Sequence, residues 1–293
     1  MASRRDFIRN VALSSAAFYL PDGSPLDLTI QKNSKMHIGL VTYQWGKDWD
    51  IPTLIRKCEE SNVLGVELRV FHKHGVDTDL TSSQRREVKK QFEDSSVQLV
   101  GFGSNVHFDS TDSELLQKNI LRAKALLAMD YDIGGSGVKV KPNGFHEGVP
   151  HEKTIEQIGN ALNEIGAFAG DLGQQVRLEV HGPETQELPN IRAILDVADN
   201  PNVGICWNCN PTDLKGKGFE YNFNLVKDRL GDTIHIHELD HGNYPYKKFI
   251  KNLVQMDYGG WLLLECSATD PKDKAAAMAK QRKIGLQMIA EMG

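Results

Sequence analysis

From Lys35 onward the chain repeats one pattern eight times: a short run rich in Val, Ile or Leu, then a segment with apolar residues at helical spacing. The expected strands are 36–43, 65–70, 97–102, 137–141, 175–181, 202–208, 233–239 and 261–265. They are short and hydrophobic, as strands buried on both faces must be. Helices are expected at 51–61, 82–94, 112–129, 152–169, 188–198, 222–230, 246–256 and 271–291. Asp50 and Thr81 stand where N-caps belong, and Pro52 falls in a first turn. Eight strand–helix units make a closed (β/α)8 barrel, the TIM-barrel arrangement, as one α/β domain over 35–293. A doubly wound open sheet is the competing layout. It needs a phosphate-binding turn after its first strand, and Thr42-Tyr43-Gln44-Trp45-Gly46 carries no glycine-rich fingerprint. Gly101-Phe102-Gly103-Ser104 has two glycines but lacks the third and opens no helix at once.

Composition narrows the function classes. The 293 residues are 40% hydrophobic and 25% charged, with a net charge of −5. Nucleic-acid binding would need a basic face, which an acidic balance does not supply. Four cysteines in a chain this long form no disulfide framework. Cys206 and Cys209 do make a Cys-x-x-Cys pair. On an extended strand their Cα atoms would lie roughly 10 Å apart, beyond the ~7 Å reach of a disulfide. No second pair completes a zinc ribbon, which turns attention to Asn208 between them.

The N-terminus has its own character. Ser3-Arg4-Arg5-Asp6-Phe7-Ile8-Arg9 precedes a short apolar run that ends at Pro21. Ten apolar residues are too few to span a bilayer. A basic segment followed by such a run describes an export signal, and this one resembles the twin-arginine consensus. The alternative is an amphipathic first helix with a chance Arg pair. The expectation is a signal at 1–21, a polar linker at 22–34, a periplasmic or otherwise exported protein, and no stable membrane insertion.

Catalytic groups of a barrel sit at the C-terminal ends of its strands. Strand five runs Arg177-Leu178-Glu179-Val180-His181, with Arg177, Glu179 and His181 on one face. Strand six ends at Asn208, strand seven carries His235 and His237, and strand eight ends in Glu265. Two carboxylates, an imidazole and an amide oxygen suit a divalent cation such as Mn²⁺, Mg²⁺, Co²⁺ or Zn²⁺. Each residue alone could be satisfied by a cap or salt bridge, but four on adjacent strand ends describe a site. Glu67 with Arg69, Lys139 with Lys141, and His107 in a βα loop are further candidates for substrate contact.

With these residues in place, the chain resembles the sugar phosphate isomerase/epimerase superfamily of xylose-isomerase-like TIM barrels. The resemblance covers roughly 36–290 and rests on Leu178–Gly182, Val203–Leu214, His235–Asp240, Tyr244-Pro245-Tyr246 and Gly259–Cys266. It implies one divalent metal held by Glu179, Asn208, His237 and Glu265, with His235 a neighbour. It also implies that Glu179 and Glu265 shuttle protons and that His181 contacts substrate. Three departures stand out: Asn208 replaces the family's Asp, Asn210 and Pro211 occupy the stretch where a histidine is usual, and Asn243 replaces an expected Arg.

The chemistry implied is proton abstraction beside a carbonyl, with an enediolate intermediate, on a sugar or glycoside. Proton return gives an isomerase or epimerase, and loss of a β substituent gives a lyase acting on 3-keto-glycosides. A non-catalytic sugar-binding barrel is a third reading, which retention of both glutamates disfavours. A multi-zinc nuclease of the same fold would need more ligands and a basic face. A homo-oligomer is compatible with all of these.

Overall fold

Eight parallel strands follow one another around the sheet in the order β6-β5-β4-β3-β2-β1-β8-β7. They are β1 His37–Val41, β2 Gly65–Arg69, β3 Gln98–His107, β4 Gly137–Lys141, β5 Gln175–Glu179, β6 Val203–Cys206, β7 Thr233–Ile236 and β8 Trp261–Leu264. The computed structural model describes residues 35–292, so the expected signal and linker lie outside the described residues. Eight helices alternate with the strands: α1 Ile51–Ser61, α2 Ser82–Glu93, α3 Ser113–Ile133, α4 His151–Asp171, α5 Leu188–Val197, α6 Phe219–Val226, α7 Tyr246–Gln255 and α8 Lys274–Met292. This is the (β/α)8 barrel that the alternation predicts.

The β6–β7 seam is the thinnest part of the ring. Two main-chain bonds span it, Gly231 N to Ile205 O and His235 N to Trp207 O, both 2.8 Å. By contrast, four paired rungs join β1 and β8.

Local sequence explains the helix starts. Asp50 accepts from Thr53 N at 3.0 Å and caps α1. Thr81 and Gln84 form a capping box at the start of α2. Asp112 caps α3, which stops at Gly134 in the left-handed region, φ 93°. Among the described residues no helix is long and apolar enough to cross a membrane.

Strand lengths differ from expectation in an informative way. Strands β5 to β8 stop at Glu179, Cys206, Ile236 and Leu264, one to three residues before the sequence suggests. Strand β3 instead runs on to His107, with a register shift against β4 between Gly103 and His107. His107 is therefore a strand end and not a loop residue.

The glycines of 101–104 serve the barrel interior. A Cβ on Gly101 would lie 2.4 Å from Gly137 O and 2.8 Å from Arg177 Nη1. One on Gly103 would lie 2.6 Å from Glu67 Oε1. The missing side chains make room for two buried charged groups.

Candidate active site at the barrel mouth

Three side chains from non-neighbouring parts of the sequence converge at the C-terminal end of the barrel. Glu179, His235 and Glu265 each present one ligand atom, all within 4.8 Å of one another. His235 Nδ1 lies 3.4 Å from Glu265 Oε2 and 3.7 Å from Glu179 Oε1. Its other nitrogen, Nε2, faces Glu67 Oε1 at 3.2 Å. All four side chains are buried.

Glu179 is the most heavily engaged. Lys139 Nζ donates to its Oε2 at 2.6 Å, and Asn208 Nδ2 donates to its Oε1 at 3.2 Å. Lys139 also donates to Ser104 O at 3.2 Å. Burial alone would raise the Glu179 carboxyl, but Lys139 and then His235 outweigh it and hold it well below the ordinary range. Glu265 is likewise opposed by burial yet held below its usual value, chiefly by His235. For His235 burial disfavours the charge, while Cys206, Glu265 and Glu67 overcome it and keep the ring protonated well above an ordinary imidazole.

Three buried polar atoms here have no hydrogen-bond partner: Asn208 Oδ1, His235 Nδ1 and Glu67 Oε2. An unpaired buried acceptor beside two carboxylates is costly unless a cation completes it. The donor set therefore fits a divalent ion, with Glu179, His235 and Glu265 as ligands and the Asn208 amide oxygen as a fourth. Binding would displace the His235 proton.

At one position the geometry differs from the expectation. His235, not His237, is the imidazole between the carboxylates. Side chains alternate only while the chain stays extended, and β7 ends at Ile236. Beyond it the His237 ring lies between strand ends, Nδ1 3.1 Å from Glu265 O and Nε2 3.1 Å from Asn208 O. It ties β6 to β8 and has no nitrogen facing the cage.

The remaining candidates fall at two levels. Glu67 and Lys139 belong to the floor with the cage, so Lys139 pairs with Glu179 and not with Glu67, and Glu67 does not pair with Arg69. Arg69 reaches Asn105 Oδ1 at 2.9 Å instead. His181 and His107 stand on the rim; His181 Nδ1 is buried without a partner, and burial lowers this ring's proton affinity. Trp45 is core, its Nε1 donating to Thr269 O at 2.9 Å.

The sequence reading missed two polar groups around the site. Trp207 Nε1 donates to Tyr244 Oη at 2.8 Å, and Tyr244 donates to Asp213 Oδ2 at 2.7 Å, bracing the chain next to Asn208. Asp109, two residues after His107, is buried against that ring. A His-x-Asp spacing at the end of a long strand was the available signal.

A family model described as "Xylose isomerase-like TIM barrel" matches residues 55–284. The chain belongs to this family. Solved structures of like fold include L-ribulose 3-epimerase, with TM-score 0.75, 14% identity, and 88% of this chain and 95% of that chain covered. The apo form of 3-keto-D-glucoside 4-epimerase from E. coli gives 0.71 and 16%, covering 85% and 99%. A family member from Mycobacterium smegmatis, in complex with magnesium, gives 0.64 and 15%, covering 88% and 98%. At these identities the likeness is one of fold. A search of curated protein sequences finds no match.

Proposed function

We propose that this xylose isomerase-like barrel is a divalent-metal-dependent sugar isomerase or epimerase that removes a proton from the carbon beside a carbonyl. The observation that carries the reading is the convergence of Glu179 and Glu265 on His235, buried at the barrel mouth. When bound, the metal would act as a Lewis acid toward the substrate's carbonyl and hydroxyl oxygens. His235 faces both carboxylates, but among the described residues Glu179 is also clamped by Lys139 and Asn208, whereas the Glu265 side chain has no further polar partner. We therefore assign the first proton transfer to Glu265, which can return the proton to the neighbouring carbon; inversion would require Glu179 to take a proton from water before delivering it from the other side. The His181 ring, which follows Glu179 on the same face, would line the substrate side of the site. Elimination from a 3-keto-glycoside at the same carboxylates is the second reading, since the same proton abstraction precedes it. Export through residues 1–21 belongs to the same proposal, since it would bring the enzyme to unphosphorylated sugars.

Incubation in D₂O with Mn²⁺ and either a free ketose or a 3-keto-glucoside tests the reading directly. Solvent deuterium should enter the carbon beside the carbonyl, and Glu265→Gln should stop it. Exchange that survives a chelator would overturn the metal assignment, and exchange that survives Glu265→Gln would overturn the base.

A further inference from the structure

A tier of positive charge stands above the cage. Arg69 follows Glu67 by two residues on β2, and Lys141 follows Lys139 by two on β4, so each pair shares a face of its strand. Glu67 faces His235 and Lys139 holds Glu179, which puts Arg69 and Lys141 about 7 Å further toward the mouth. Gly103 of β3 lies against both members of the first pair: a Cβ there would be 2.6 Å from Glu67 Oε1 and 3.2 Å from Arg69 Cγ.

Both cations are half-buried, and among the described residues neither has an ion-pair partner. The Arg69 guanidinium lies over the Tyr43 ring, 4.9 Å from its centroid, and Asn105 Oδ1 holds one edge at 2.9 Å. Lys141 Nζ has no hydrogen-bond partner at all among the described residues. Burial and then Lys139 lower its proton affinity, with Arg69 adding to them, while Glu179 and Glu265 act on it from the cage in the opposite direction. The buried rim carboxylate, Asp109, is already taken up by His107 Nδ1 at 2.5 Å, Asn143 Nδ2 at 2.9 Å and His146 Nε2 at 3.2 Å.

Charge balance then sets what a substrate must bring. Lys139 and one divalent ion offset the carboxylates of Glu67, Glu179 and Glu265, with His235 neutral as a ligand. Arg69 and Lys141 remain as two positive charges facing the substrate space with no protein anion to meet them. A neutral sugar seated there would bury them further without a partner, which is costly.

We propose that Arg69 and Lys141 form a carboxylate-binding subsite, so that the substrates are keto sugar acids, with a carboxylate in place of the terminal hydroxymethyl group. This rests on the proton-abstraction reading above. Arg69 offers the planar edge that pairs with a carboxylate, and Lys141 adds a point charge beside it. The height of one tier is that of a short carbon chain, so an anchored carboxylate leaves the carbonyl end to the cage.

Calorimetry on the Mn²⁺-loaded protein compares D-fructuronate with D-fructose, which differ only in that carboxylate. The acid should bind at least about 10-fold more tightly, and added salt should narrow the gap. Lys141→Met and Arg69→Met should each erase most of the preference while D-fructose binding stays within about twofold, and Lys141→Arg should keep most of it. If Arg69→Met folds poorly without its seat on Tyr43, the Lys141 pair of variants carries the test. Equal binding of acid and neutral sugar, or equal losses on both in Lys141→Met, overturns the subsite. D-fructose 6-phosphate is the third arm: tighter binding than D-fructuronate, lost in the same variants, overturns the carboxylate assignment in favour of phosphate. Deuterium exchange into D-fructose with no preference for the acid overturns the subsite and leaves the proposed function standing. Preference for the acid with no exchange into either sugar does the reverse.

Discussion

The ammonium of Lys139 lies 2.6 Å from the carboxylate of Glu179, with side chains 1% and 2% exposed. Removing one partner strands the other charge in a dry interior, so Lys139→Met should lose about 3–5 kcal/mol of stability. Lys139→Met with Glu179→Gln should lose less than the single variant. The Glu179 value is depressed, so its contribution is present above the ordinary 4.5 and lost as pH falls through the folded value. The Lys139 value is raised, so its contribution is present below the ordinary 10.5 and lost as pH rises through the folded value. The gap between wild type and Lys139→Met, read by urea melts, should stay constant from about pH 5 to 10 and narrow outside that window.

Mn²⁺ calorimetry checks the exchange of histidine roles. His235→Gln should weaken binding at least about 100-fold, whereas His237→Gln, which alters a tie between strand ends, should cost under about tenfold. Asn208→Asp should tighten binding about tenfold or more by adding a negative ligand. The same change sets a carboxylate against Glu179 in the metal-free protein, so its melting temperature without Mn²⁺ should fall.

Asp130 offers a pH test away from the site. Its Oδ2 accepts from Gly137 N and Gln174 Nε2, both 2.9 Å, while Oδ1 is buried without a partner. Burial pushes this carboxyl up to about 7. With the folded value raised, its stabilising contribution is full below 3.8 and is lost as pH rises through about 7. Asp130→Asn should therefore flatten the wild-type decline in stability between about pH 4 and 8, a change on the order of 4 kcal/mol.

Gly103→Ala should act on the cage more than on the fold. The added methyl would meet Glu67 Oε1 at 2.6 Å, and that same oxygen faces His235 Nε2. A displaced Glu67 releases the imidazole, so Mn²⁺ affinity should drop about tenfold or more while stability falls by about 1–3 kcal/mol. Gly101→Ala meets backbone, Gly137 O at 2.4 Å, and should instead lower the melting temperature first.

The barrel was legible because hydrophobic periodicity reports burial, and all eight strands and helices fall close to their expected places. The cage was legible in part: Glu179, Asn208 and Glu265 each end an apolar run, where an uncompensated polar group would be costly. The choice between His235 and His237 was not, because it depends on where β7 leaves the ladder, and period two says nothing of that. The His-x-Asp spacing of His107 and Asp109 was visible, but the burial of Asp109 was not, because its other partners Asn143 and His146 come from the loop after β4. Gly101 and Gly103 read as a weak turn signal; only the neighbouring β2 and β5 reveal them as space for Glu67 and Arg177.

The seam between β6 and β7 gives the cage a mechanical meaning. Asn208 follows one side of this join and His235 lies on the other, where two backbone bonds stand in for a full ladder. An ion shared by those residues would rivet the ring at its most easily parted joint. Loading the protein with metal should then slow amide exchange at His235 far more than at the β1–β8 junction, making catalytic readiness and resistance to opening one and the same event.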